Sequence, residues 1–388
     1  MRLRVATLNV WGLPEPLSVD PLRRLRAIAA RLPEIAADVV AFQEVWYADA
    51  RQVLLEGGRR AGLAHTWSPD AAIGGSGLLV LSRLPIAEAE LAPFALRGLP
   101  ERVTHGDYYG GKGYVRVRLD TPAGPLTLVA THLHARYAGD VRHAYLAHRA
   151  GQVVQLALGT GDVADPLIAA GDFNFTRGSD EHSVLTGLSG LRDLAHEIGR
   201  AEPTVLRTNP FRAHSSKPDR RIDYVFARDG QRSRVRPVSV QRILADRIGD
   251  RLAYSNHAGV LAVVAIEPPG RPGFSPSPPA IETARRILAA GREAAERRQA
   301  EQRSITGAGL GVAALAALGD RRLPALSRRR LLRGGLQLAA LAALAPSVGC
   351  SLLSEVFVPD EIRAYDRLDA ALASLQAERH SSNTARSS

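Results

Sequence analysis

The chain has 388 residues, a formal net charge of +11, and 45% hydrophobic but only 5% aromatic side chains. That length exceeds one ordinary domain and points to a large domain with an appendage, while the charge admits nucleic acid, anionic lipid or phosphate-bearing partners without choosing among them. The single cysteine, Cys350, excludes an intrachain disulfide and a cysteine zinc site.

The amino terminus, MRLRVATLNVW, shows no signal-peptide apolar region, so the catalytic region is expected to be intracellular. Arg4 to Val10 alternates as a first strand, with Asn9 and Trp11 at its carboxyl end. Asp20 and Pro21 read as an N-cap and first helical residue, and Leu22, Leu25, Ile28, Ala29 and Leu32 give the helical stripe. Pro33 divides or terminates that helix. Val39 to Phe42 is a second strand ending in Gln43 and Glu44, and Ala48 to Ala61 a second helix. Gly74, Gly75 and Gly77 precede a short strand, Leu78 to Leu81, and Ala87 to Phe94 reads as the next. His105 to Gly113, HGDYYGGKG, is a polar Gly-rich loop expected over the site. It lacks the full GxxxxGK[ST] pattern, so it is not a Walker loop. Lys112 can reach a substrate phosphate or face solvent, and Tyr108 can cover a lipid or a base.

Tyr114 to Leu119 and Leu126 to Ala130 form a hairpin around Pro122 to Pro125, and the second strand runs into Thr131, His132, Leu133 and His134. Val141 to Leu158 is a long helical segment. Leu167 to Ala170 is a buried strand, and Gly171 turns the chain into Asp172 and Asn174. Alternate residues on extended backbone face one way, so this carboxylate and amide can reach one spot. The same GDFN also suits a plain turn. Ser179 to Leu188 is helical. Ala201 to Arg221 is a polar, Pro-bearing substrate-side loop. Ile222 to Ala227, Val235 to Gln241 and Ala258 to Ile266 are strands, the last just after Ser255, Asn256 and His257. Strands interspersed with helices fit an α/β core of two sheets with helices outside.

The organisation expected is a catalytic domain over residues 1–267, a Pro/Gly/Ser-rich linker over 268–280, and a carboxyl-terminal helical or hydrophobic appendage over 281–388. Ile281 to Arg303 is a charged helix with a solvated face. Ile305 to Leu318 and Leu336 to Val348 are apolar, the second after Arg328, Arg329, Arg330 and Arg333. They suit buried helices or membrane-associated segments equally. Ser327 to Cys350 is similar to a twin-arginine leader, but its internal position argues against processing. Asp360 to Glu378 is a final amphipathic helix before a disordered Ser-rich end.

Five separated elements end in groups suited to metal and phosphate chemistry: Asn9, Glu44, His132, the Asp172/Asn174 pair, and Asp223 with His257. Glu44 is the expected direct ligand of Mg2+, or of Mn2+, because hard cations prefer carboxylate oxygen. His257 beside Asp223 can serve as a general base of fixed tautomer.

TLNVWG, FQEVW, GSGLLVLSRLPI, THLHARY, AAGDFNF, RIDYVFA and SNHAGVLA occur in this order over about residues 3–266. The ordered set resembles the endonuclease/exonuclease/phosphatase (DNase I-like) superfamily. LPEIAADVVAFQEVW, HGDYYGGKGY and YLAHRAGQ are most similar to neutral sphingomyelinases. The resemblance implies a four-layer α/β sandwich. It makes Glu44 the metal glutamate, with Asn9 and Asn256 in the metal environment, and gives catalytic roles to Asp172, Asn174, Asp223, His257 and His132. Lys112, Tyr108 and His134 become substrate-side candidates. It also implies Mg2+-dependent hydrolysis of sphingomyelin or a related phospholipid to a lipid alcohol and phosphocholine, at the cytoplasmic face of a membrane. A Mg2+-dependent nuclease acting on nucleic acid is the enzymatic alternative, and a catalytically weak membrane-associated binding protein the non-enzymatic one. Asn256 stands where the family carries Asp, which removes one charge near the metal.

Overall fold

The computed structural model describes the chain except residues 70–74, 138–144, 213–216, 250, 272, 323–328 and 388, and leaves aside the side chains of 319–333 and 380–388. Gly74, the start of the helix expected from Val141, and Arg328 lie outside the described residues.

The strands, in chain order, are β1 (Arg2–Asn9), β2 (Val39–Gln43), β3 (His65–Trp67), β4 (Leu79–Ser82), β5 (Ile86–Pro93), β6 (Gly113–Thr121), β7 (Gly124–His132), β8 (Leu167–Asp172), β9 (Arg192–Asp193), β10 (Asp223–Arg228), β11 (Arg234–Ile243), β12 (Arg247–Ile248), β13 (Leu252–Ala253) and β14 (Gly259–Glu267). The helices are α1 (Pro21–Ile35), α2 (Ala48–Arg60), α3 (Asp107–Gly110), α4 (Leu146–Leu158), α5 (Asp180–Ser189), α6 (Leu194–Glu197), α7 (Pro278–Arg322), α8 (Arg329–Leu352) and α9 (Val358–Ser387). One six-stranded sheet has the order β11-β14-β1-β2-β4-β3, the other β5-β6-β7-β8-β10-β9.

Period-two alternation explains the layering. Val5, Val39 and Val80 of the first sheet face Val117, Leu128 and Ile168 of the second across a buried interface. The opposite faces of β1 and β2, carrying Leu8 and Phe42, pack on Leu25, Ile28 and Leu32 of α1 and Leu54 of α2. The outer face of the second sheet, with Val129, Ala169 and Phe226, packs under Val153 of α4 and Val184 of α5. The result is the four-layer α/β sandwich expected. Pro33 does not end α1, which continues to Ile35.

The helices beyond the linker join this core. Ala284 and Leu288 of α7 and Tyr365 and Leu372 of α9 share one buried cluster with Val153 and Leu96. The charges lie on a solvated face, as expected, and pair there across it: Arg285 with Asp369 at 2.8 Å, Arg292 with Asp366 at 2.6 Å and Arg303 with Glu355 at 2.8 Å. Rather than breaking near Arg303, α7 runs on for 45 residues and packs antiparallel to α8. A Cβ at Gly309 would fall 1.9 Å from Ser347 Oγ, so only glycine permits this approach. The flank of this hairpin stays bare: Leu315 is 71% exposed, Leu338 67% and Leu341 63%. The helical run Gly334–Arg379 contains a stretch long and apolar enough to cross a membrane. The backbone stays helical to Ser387, where a disordered end was expected.

Candidate active site

Register alone assembles the centre. In the parallel pairs, Asn9 lies beside Gln43 and His132 beside Asp172. In the antiparallel pair, Asp223 at the start of β10 lies beside Asp172 at the end of β8. Because Thr7 of β1 pairs with Val260 of β14, His257 enters from the same end. Gly171 is needed here, since a Cβ would sit 2.0 Å from Thr131 O. Trp11, Glu44 and Asn174 adopt left-handed backbone, with φ of 50°, 62° and 52°. Such conformations cost of order 1–3 kcal/mol and concentrate at functional sites.

His257 Nδ1 lies 2.9 Å from Asp223 Oδ2, and its Nε2 lies 3.9 Å from Asp172 Oδ2. Ser255 Oγ donates to Asn9 O at 2.6 Å and accepts from His257 N–H, which ties the histidine loop to β1. Asn9 Nδ2 donates to Glu44 Oε1 at 2.8 Å and to Asp172 Oδ2 at 3.0 Å, holding two carboxylates at a set spacing. Its Oδ1 accepts from Trp11 N–H at 2.9 Å. Asn9 therefore bridges the two acids. Asp172 Oδ1 accepts from Asn174 N–H at 3.0 Å, and Asn174 Nδ2 donates to Leu133 O. Asn256 lines the same cavity.

Beneath this centre lies a second polar layer. Lys112 lines the cavity but is buried away from solvent. Its buried Nζ reaches Asp107 Oδ1 at 2.7 Å, His132 Nε2 at 2.9 Å and Leu133 O at 3.0 Å. His132 Nε2 also lies 3.4 Å from Asp172 Oδ2. His134, expected to touch substrate, is 1% exposed and stacks on Tyr145 with centroids 3.9 Å apart. Burial holds its pKa down at about 3, despite Asp107 nearby. Tyr108 also turns away from the cleft, edge-on to Phe357 of the segment joining α8 to α9. Its neighbour Tyr109 lines the cleft instead. HGDYYGGKG does cover the site, as short helical turns rather than an open loop. Gly110 lets it close on the Trp46 indole, 2.9 Å from where a Cβ would stand.

The cavity is about 490 Å3. Glu44, His132, Asp172 and His257 lie on its polar side, with Trp11, Trp46, Tyr47, Tyr109 and Tyr137 as walls. Two contributors gave no sequence signal. Asp107 is buried and looks like any loop acid. Arg24 occupies α1 but is fully buried and donates to the carbonyls of Val10, Trp11, Val19 and Tyr254.

Burial alone would lower the His257 pKa, but Asp223, Asp172 and Glu44 outweigh it and push it up to about 9. Burial would raise Asp172, yet His257, His132 and Lys112 hold it well below the usual carboxylate range. Three carboxylates around one imidazole make a field that suits a cation. One oxygen or nitrogen atom each from Asp172, Asp223 and His257 lies within 4.8 Å of the others. Asp223 and His257 are engaged with each other, however, and Glu44 opens to the cavity with 17% of its side chain exposed. An oxygen-rich set without sulfur fits a hard divalent ion at Glu44 and Asp172.

A stability prediction follows. Folded His257 binds its proton more tightly than the unfolded chain. Its contribution is complete below about 6.5 and is lost as pH rises through about 9. In chelator, urea unfolding should show a decline on the order of 3 kcal/mol between pH 6 and 10. His257→Gln should flatten that decline. An unchanged slope would place the proton elsewhere.

A model of the Endonuclease/Exonuclease/phosphatase family matches residues 6–298. The chain is 30% identical over 275 residues to a putative neutral sphingomyelinase of Drosophila melanogaster, an alignment covering 68% of this chain and 60% of that relative's length. Among solved structures, sphingomyelinase C from Streptomyces griseocarneus aligns with a TM-score of 0.53 at 22% identity, covering 68% of this chain and 99% of that one. TDP2 of D. rerio complexed with single strand DNA product aligns with a TM-score of 0.54 at 19% identity, again over 68% and 99%. These two likenesses bear on the fold.

Proposed function

The chain belongs to the endonuclease/exonuclease/phosphatase family, and from that premise we propose that it is a metal-dependent phosphodiesterase acting on a sphingophospholipid. Residues 1–267 carry the chemistry, and 281–388 hold it at a lipid surface. Glu44 and Asp172 hold a divalent cation, magnesium first, whose charge stabilises the phosphoryl oxygens when bound. His257, its Nδ1 fixed by Asp223, takes the proton of the attacking water at Nε2. The water oxygen forms the new bond to phosphorus, the bond from phosphorus to the lipid oxygen breaks, that oxygen takes a proton from solvent to leave as the lipid alcohol, and His257 returns its proton to solvent. His132 and Lys112 set the polar floor on which the phosphate rests, and Asn174 offers its amide beside them.

The net charge serves lipid and nucleic acid alike. The bare apolar hairpin, joined to the domain that carries this centre, is the observation that favours lipid. A catalytically weak binding protein is disfavoured by the complete Glu44, Asp172, Asp223 and His257 set.

Headgroup release from sphingolipids, beside plasmid and single-stranded RNA cleavage, tests the assignment. Nucleic-acid cleavage with no lipid turnover would reverse it. The combined change Leu315→Glu, Leu338→Glu and Leu341→Glu should abolish flotation with vesicles and cut turnover on vesicles by about tenfold or more. Turnover in detergent micelles should remain within about twofold, since these side chains touch no part of the site. Flotation equal to the parent protein would remove the anchor role.

A further inference from the structure

Trp11, Ala135, Asn174, Asn256 and His257 line both the catalytic cavity and a smaller recess beside it. Two of them, Asn174 and Asn256, carry amides that can donate to a phosphoryl oxygen without adding charge. Asn174 is 8% exposed, and its Nδ2 already donates to Leu133 O at 2.9 Å. Asn9 spends its amide N–H bonds on Glu44 and Asp172. Lys112 is engaged with Asp107, His132 and Leu133 O. Asn256 differs from all three. It is half-buried, and its Oδ1 is turned to Ser255 Oγ at 3.3 Å. Its Nδ2 has no partner among the described residues.

Both neighbours of Asn256 are fixed. Ser255 Oγ donates to Asn9 O at 2.6 Å, and His257 Nδ1 is held by Asp223 at 2.9 Å. A donor fixed before the substrate arrives costs no reorganisation during the reaction. The charge balance also favours a neutral donor. Asp223, Asp172 and Glu44 already act on His257, and a fourth carboxylate would face the anionic diester and repel it. Asn256 stands where the resemblance puts Asp, so this chain holds an amide donor in place of that charge.

We propose that Asn256 is a catalytic residue, and that its Nδ2 donates to a non-bridging oxygen of the phosphodiester as negative charge gathers there. The proposal rests on the metal-dependent phosphodiesterase reading. Under it, Asn256 stabilises the phosphoryl oxygen while His257 takes the proton of the attacking water. No bond to Asn256 forms or breaks, and it exchanges no proton with the substrate.

The test uses the full chain with magnesium. Turnover is measured on sphingomyelin in detergent micelles, on plasmid DNA and on bis-p-nitrophenyl phosphate, since the donor serves the phosphodiester whichever alcohol leaves. On whichever of these the parent protein cleaves, Asn256→Ala should lower kcat by about 10²-fold, the usual loss for one such donor. KM should change less than about threefold, as for an interaction made only in the transition state. Magnesium affinity, read by calorimetric titration, should stay within about twofold in Asn256→Ala, because a donor is not a ligand. Asn256→Asp, nearly equal in size, should bind magnesium more tightly and still turn over about tenfold or more slower than the parent protein. Orthovanadate, which can take the five-coordinate geometry of reacting phosphorus, should lose inhibition in Asn256→Ala by a larger factor than inorganic phosphate does. Faster turnover in Asn256→Asp, or weakened magnesium binding in Asn256→Ala, would make this side chain a metal ligand and overturn the proposal. Parental kcat in Asn256→Ala overturns it as well. A parent protein that cleaves none of the three substrates overturns the phosphodiesterase reading beneath it.

Discussion

His257→Ala is expected to lower phosphodiester turnover by about 10³-fold or more, within the range for loss of a positioned general base. The residue is held from both sides, by Asp223 at Nδ1 and by the Asp172 carboxylate facing Nε2. Substrate affinity should change little, because the side chain acts on the water. The acid limb of the rate profile should disappear with it. Its position is informative as well. Unbalanced by a cation, the three carboxylates keep this imidazole protonated up to about pH 9, a form that cannot accept a proton. A divalent ion among them lowers that value, so the limb should move to lower pH as magnesium is raised. A limb fixed at all magnesium concentrations, or retained in His257→Ala, would assign the base to another group, Asp172 first.

Glu44→Gln should remove about 10³-fold or more of metal-dependent turnover, several kcal/mol of transition-state stabilisation. The amide nearly matches the carboxylate in size, so thermal unfolding in chelator should stay within a few degrees of the parent. Calorimetric titration with magnesium should show the lost affinity independently of activity. Parental affinity in Glu44→Gln would move the ion to Asp172, Asp223 and His257, the other cluster of possible ligands. Full turnover in excess chelator would end the metal-dependent mechanism.

Much of this centre was legible because its residues sit where strands stop. Asn9, Glu44, His132 and Asp172 each follow an apolar run, and parallel pairing of β1 with β2 and β7 with β8 brings those ends together. Tertiary destinations were not legible. Lys112 and Tyr108 share one loop, yet one turns under the site and the other turns to Phe357. No periodicity distinguishes them. Arg24 is on a helix rich in arginine, and only the carbonyls of two distant loops explain its burial. Likewise, the join between the charged and apolar parts of α7 contains Gly307, Gly309 and Gly311, which are poor helix formers. Close packing against Ser347 keeps the helix whole there.

That unbroken helix carries a mechanical consequence. At 1.5 Å per residue, the part of α7 beyond Arg303 is about 28 Å long, close to the thickness of a bilayer's hydrocarbon core. The part before it is pinned to the domain by Leu288 and by the pairs to α9. Under the anchor reading proposed above, the absence of a joint between the two would hold the cleft over the bilayer at one height and one tilt. Each lipid would then have to rise to meet it. The search would be planar, and turnover would follow the surface density of lipid rather than the amount in the tube.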